Sequence, residues 1–178
     1  GRGSTDPRGG DLSNTFLSTY FERRKGQCVA MPIAIVVIGQ KLGLPVTMTT
    51  GPYHVLVKFG DDATGQWTNL EATSGKFRFD SQYEEALRIP KEANDQSTFL
   101  RPYSQRESVA LFATTTLLPH LKAQGQPEQL LQATNLILAI NPLDVVAMTY
   151  KADAWYAKAE SHGWRAWTEA DWSRYLDH

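Results

Sequence analysis

Apolar residues recur along this chain with two different periods, and the places where the period changes divide it. Leu12, Phe16, Leu17 and Tyr20 form an i, i+4 stripe, which predicts a helix over 11–25. Asp11 or Ser13 suits its start, and the run Glu22-Arg23-Arg24-Lys25 followed by Gly26 suits its end. A second helix is predicted from about Cys28 to Lys41, almost wholly apolar and therefore central, with Gly43 as its breaker. Pro32 is tolerated there because it falls in the first turn. After Gly43 the period drops to two. Residues 45–49, 53–59 and 66–70 read as strands, the last two joined by the loop GDDATG at 60–65. Phe77 and Phe79 alternate as a candidate short strand, 80–87 suits a helical turn, and 90–102 reads as a linker. From Ser104 the helical period returns, over about 105–123, 127–140, 143–160 and 164–176. Gly125-Gln126-Pro127, Asn141-Pro142 and Gly163 punctuate these segments as helical hairpins. Trp155, Trp164, Trp167 and Trp172 fall in this stretch and are read as core. Residues 1–10, rich in Gly and charge, read as a loop.

Composition changes this picture only by exclusion. With 178 residues, 42% hydrophobic and 21% charged, the chain can bury a core without disulfides or a structural metal. Lys plus Arg is 18 against 19 Asp plus Glu, balanced in both halves: 11 against 11 up to residue 100, then 7 against 8. Neither half offers the basic surface that nucleic-acid binding needs, so no nucleic-acid partner is expected. The longest apolar run, Val29–Ile38, is ten residues and contains Pro32, so no membrane insertion is expected. A single cysteine, Cys28, excludes an internal disulfide and a cysteine-rich zinc site. His120, His162 and His178 have no metal-ligand spacing, and neither a metal nor a cofactor is expected. The chain begins with Gly1 rather than Met and reads as processed or excised. A removed signal peptide would leave no trace, so the compartment stays open. The oligomeric state also stays open.

Candidate chemistry gathers around the one thiol. Cys28 is placed at the start of a buried helix, where free backbone N–H groups and the helix dipole favour an anion. The same groups could hold an oxyanion on a carbonyl that the sulfur attacks. Gln27 is a candidate for that oxyanion site, and equally a solvent-facing side chain. His54 lies near the start of a strand whose alternation puts it on one face with Leu56 and Lys58, and Tyr53, Val55, Val57 and Phe59 on the other. If Phe59 pairs with Gln66 across the loop, His54 lies directly opposite Glu71, close enough for the carboxylate to orient the imidazole. A slip of two would bring Asn69 opposite instead, and an amide can also orient a Cys-His pair. Tyr53 is a candidate wall of a substrate groove, and equally an ordinary strand aromatic.

Gly26-Gln27-Cys28 opening an apolar helix, then Pro52-Tyr53-His54 on a strand, then Trp67-Thr68-Asn69-Leu70-Glu71 on the next, resembles the transglutaminase-like superfamily. Asp6-Pro7-Arg8, Lys41-Leu42-Gly43-Leu44 and Ala170-Asp171-Trp172-Ser173-Arg174-Tyr175-Leu176 resemble one bacterial branch of it. The resemblance implies an α+β chain. A papain-like domain over 1–98, its Cys-bearing helix packed on a small antiparallel sheet, would precede an all-α tetratricopeptide-like domain over 99–178. It also implies a Cys28-His54-Glu71 triad, with Glu in place of the family's Asp, and makes Trp67 a further groove candidate. The expected activity is cysteine-dependent acyl transfer or hydrolysis of an amide in a protein or peptide. Members of this branch often lack the cysteine, so the alternative is a non-catalytic binding or regulatory module that retains the fold.

Overall fold

The computed structural model describes residues 2–3, 12–26, 28–61 and 63–164. The helix predicted over 164–176, with Trp167 and Trp172, lies outside these residues except for Trp164, as does most of the loop over 1–10. A short parallel pair joins β1 (Arg2–Gly3) to β2 (Lys25–Gly26). Between them lie a 3-10 turn, Leu12–Thr15, and α1 (Leu17–Arg23). The predicted first helix is therefore broken in two. Its stop is Arg24, at φ +53, three residues after Phe21 and before the glycine that was expected to end it.

α2 (Ala30–Lys41) is the central helix, buried over most of its length. It lies on a four-stranded antiparallel sheet of order β3-β4-β5-β6, formed by Val46–Gly51, His54–Asp61, Gln66–Glu71 and Lys76–Arg78. Close approach of helix and sheet needs Gly39, where a Cβ would stand 2.6 Å from Val46 Cγ2. Alternation divides β4 as expected. Val55 and Val57 join Met48, Ile33 and Val36 in a core under α2. Leu56, on the opposite face, packs with Tyr83 and Leu100. Both faces are covered, so Val55, Leu56 and Val57 follow one another as consecutive apolar residues.

The register corrects the expectation. Phe59 pairs with Thr68, and Gln66 pairs with Asp61, so β4 runs two residues further before turning. Gly60 makes this possible, because a Cβ there would meet the Gln66 carbonyl oxygen at 2.0 Å. Asp61 then closes the turn, its Oδ1 accepting from Ala63 N at 2.8 Å and its carbonyl from Thr64 Oγ1 at 3.1 Å.

After the sheet come α3 (Asp80–Ala86) and α4 (Lys91–Asp95), the latter inside the stretch read as a linker. Three longer helices follow: α5 (Gln105–Ala123), α6 (Pro127–Ile140) and α7 (Val145–Ser161). Ser104 caps α5 and Asp144 caps α7, each side chain accepting a backbone N–H of the first turn. α5 serves two cores. Leu111 packs into the core under α2, while Ala110 and Leu118 pack with Leu130, Ile137, Ala147 and Ala154. Trp155 and Trp164 are about half exposed and belong to neither core, contrary to the expectation for them. No helix among the described residues is long and apolar enough to cross a membrane.

Candidate active site

Each candidate side chain is set by a local feature of the chain. Cys28 stands in the turn just before α2, half-buried and packed against the core that also holds Val29 and Ile33. The helix starts at Ala30, two residues later than the sequence pattern placed it. Pro32 is its third residue, where no backbone N–H is needed. His54 is the first residue of β4, directly after a two-residue turn. That turn places Pro52 first and then Tyr53 at φ +55, with its ring fully exposed. Starting its strand, the imidazole sits at the end of the sheet nearest Cys28.

Glu71 ends β5 on the same face as His54. With the register moved by two residues it is a diagonal neighbour of His54, not the residue opposite. The longer Glu side chain spans the difference, and its Oε2 lies 2.8 Å from His54 Nε2. Cys28 and His54 line the same pocket, and the thiol is the strongest influence on the imidazole. With Nε2 engaged by the carboxylate, Nδ1 is the ring nitrogen left to face the sulfur. Thiol, imidazole and carboxylate thus stand in series.

The carboxylate is held on both oxygens. Oε2 also accepts from the buried Tyr83 hydroxyl at 3.1 Å. Oε1 accepts from Thr73 Oγ1 at 2.8 Å and from Thr73 N at 3.3 Å. Tyr83 and Thr73 are absent from the sequence-based candidates. The one hint at Tyr83 is an aromatic three residues after Asp80 in an otherwise polar helix.

Electrostatics follow from these contacts. The Cys28 side chain is the largest influence on His54, and with the adjacent Glu71 it outweighs burial, raising the imidazole from 6.5 to about 9. Burial pushes the Glu71 carboxyl up, but the hydrogen bonds from His54 and Thr73 prevail and hold it below 4.5. Burial, then the neighbouring carboxylate, pushes the Tyr83 phenol well above its ordinary range. Tyr83 is therefore a fixed donor and neither an acid nor a base at working pH. The array favours an imidazolium between a carboxylate and the sulfur.

The remaining candidates are scattered. Asn69 is fully buried on the face of His54 but further along the ladder, opposite Lys58. Its Nδ2 donates to Asp80 Oδ1 at 2.6 Å and to the Arg78 carbonyl at 3.3 Å, so it orients nothing on His54. Tyr53 lines a pocket of about 670 Å³ that opens on Cys28 and His54. Trp67 lines a different one, of about 380 Å³, beside Gln40, Pro102 and Tyr103. Gln27 lies outside the described residues. No three His, Cys, Asp or Glu side chains among the described residues gather as a metal-binding group.

A thiol ahead of a buried helix, with imidazole and carboxylate on adjoining antiparallel strands, defines the class: an α+β fold carrying a cysteine–histidine–carboxylate array. The chain belongs to the transglutaminase-like superfamily, whose family model matches residues 6–112 and so includes Cys28, His54 and Glu71. No curated protein and no solved structure matches the chain.

Proposed function

We propose that Cys28, His54 and Glu71 are a catalytic triad for cysteine-dependent acyl transfer from, or hydrolysis of, an amide bond in a protein or peptide. The observation that carries this reading is that Cys28 shares a pocket with His54, whose imidazole is hydrogen-bonded to Glu71. In it, His54 takes the thiol proton and the sulfur attacks the amide carbonyl carbon. The oxyanion is met by the backbone N–H groups where α2 begins, a helix start without a side-chain cap. The imidazolium returns its proton to the departing nitrogen as the C–N bond breaks, leaving a thioester on Cys28. Water or an amine then attacks the thioester, giving its proton to His54 as the thiolate leaves. Glu71 holds the ring orientation and stabilises its cationic form throughout.

We read residues 1–98 as the domain that carries this chemistry and 99–178 as a tetratricopeptide-like domain. In support, α6 and α7 pack as a hairpin across the short connection at Asn141–Asp144, with α5 against them.

Because Cys28 is the only thiol, alkylation by iodoacetamide followed by intact mass reports on one site. Labelling at neutral pH should slow about a hundredfold in His54→Ala, the scale of a lost general base. Equal rates in the two proteins would reject the triad and favour a binding module that keeps the fold.

A further inference from the structure

The pocket at Cys28 does not end with the sheet domain. It continues between α5 and α7, from Thr114 and Thr115 on one helix and Val146, Thr149 and Tyr150 on the other, to Lys122 and Asp153. From Leu111 to Lys122 it follows about 16 Å of α5, the length of about five extended residues. A volume of about 670 Å³ far exceeds what a small amide fills.

The walls state what fits. Apart from His54, the charged side chains that line the groove among the described residues are already engaged. Lys122 Nζ bonds Asp153 Oδ2 at 2.6 Å. Asp144 caps α7 through Ala147 N at 2.9 Å and accepts from Thr114 Oγ1 at 2.7 Å. The other threonines that α5 and α7 bring to the groove donate to their own helices, Thr115 to the Leu111 carbonyl at 2.8 Å and Thr149 to that of Val145 at 3.0 Å. Both hydroxyls are thus already engaged. Leu143, Val145 and Val146 also line the groove, the two valines being about two-fifths exposed. An occupant recognised by charge finds nothing free here, whereas an apolar side chain next to the reacting amide finds aliphatic walls.

Resting on the triad reading, we propose that this groove holds the substrate as an extended peptide, with an aliphatic or aromatic residue beside the reacting amide seated on Val145 and Val146. The helical segment is then the specificity wall of a site whose reacting groups lie in the sheet domain. Substrates would be proteins or peptides with apolar flanking residues, not small amides.

Two pairs of Cys28-directed tetrapeptides test this. One pair carries an N-terminal chloroacetyl group and the other a C-terminal chloromethyl ketone, so that both chain directions are sampled. Each pair compares Leu-Val with Gly-Gly next to the reactive group. Every rate is divided by the same protein's rate with iodoacetamide, which needs no groove. In the native chain one Leu-Val reagent should label at least about tenfold faster than its Gly-Gly counterpart, the discrimination of a small apolar pocket. That ratio should fall towards one in Val146→Asp, and also in Thr149→Trp, which fills the groove without adding charge. A ratio near one in the native chain for both directions overturns the inference, as does a ratio unchanged in both variants. Iodoacetamide labelling that does not depend on His54 overturns the triad itself. Dependence on His54 without a peptide preference overturns only the groove.

Discussion

Two polar clusters stand a few residues apart on one face of the sheet, and they have opposite fates. At the open end, His54 meets Glu71 with side-chain exposures of 21% and 13%, beside a thiol and a pocket. Further along β4, Lys58 is 1% exposed and its Nζ bonds Asp80, which also accepts from Asn69. Both are a base and an acid with a hydrogen-bonding neighbour. The first contains an imidazole whose charge answers to its neighbours and which has access to a ligand; the second contains an ammonium buried beneath α3. Asn69 Oδ1 even lacks a partner there, a local cost in a cluster that offers no route for a substrate. Access and titration, not the presence of charged side chains, separate a site from a strut.

The largest expected effect breaks the comparison at its chemical end. His54→Ala should slow Cys28 alkylation about a hundredfold, and at neutral pH it should also lower the urea midpoint, since the raised imidazole contributes stability there. At the other end, Asp80→Ala leaves the Lys58 cation buried without its carboxylate. Asp80 is itself 43% exposed, which screens the pair, so the loss of unfolding free energy in urea should be about 2 kcal/mol, below that of a sealed pair. Lys58→Met added to Asp80→Ala should recover most of it, because the orphaned charge is then gone. No recovery would mean that the pair is not what Asp80 supplies.

Next in size are the effects on titration. Because contact with Cys28 is the largest cause of the raised His54 pKa, Cys28→Ala should lower its NMR titration midpoint from about 9 further than Glu71→Gln does. The reverse order would show that the carboxylate dominates. Folding stability follows with a definite sign. His54, raised from 6.5 to about 9, contributes stability that is complete below pH 6.5 and lost as pH rises through about 9. Glu71, held below 4.5, contributes stability present above that value and lost as pH falls. The difference in urea midpoint between the native chain and Glu71→Gln should therefore be widest between these limits and shrink towards both. A difference independent of pH would assign Glu71 a packing role only.

How much of this is legible in the sequence depends on how local each feature is. The spans of α5 and α6 follow from their punctuation, because the Ser104 cap and the Gly125-Gln126-Pro127 break are written beside them. The pairing of β4 with β5 does not, because Gly60 reads as loop until its contact with Gln66 is known. Glu71 reaches His54 all the same, since a slip by an even number keeps every side chain on its face. A slip of one would have carried it to the α2 side. Tyr83, Thr73 and the α5–α7 groove are not legible: each depends on the docking of elements distant in sequence, and neither spacing nor composition records it. The end of α1 at Arg24 shows the limit at short range, because a left-handed residue that is not glycine leaves no mark.

The smallest expected effect bears on what joins the two clusters. Asp80 and Tyr83 are three apart on α3 and share a face, so one turn of helix touches both: Asp80 binds Lys58, and Tyr83 binds Glu71. Tyr83→Phe removes only a hydroxyl and keeps the ring against Leu56 and Leu100. A hydrogen bond to a carboxylate contributes about 1.5–3 kcal/mol, and His54 and Thr73 still hold Glu71, so alkylation should slow by tenfold at most. A merely structural tyrosine would lower the urea midpoint without moving the titration of Glu71; a positioning one should raise that titration, because the carboxylate loses a donor. The link through α3 is then tested by coupling. If Asp80 fixes where Tyr83 points, Asp80→Ala alone already costs most of the hydroxyl's effect on Cys28, and adding Tyr83→Phe costs little more. Full additivity would mean that the strut and the site share a face of the sheet but not a mechanism.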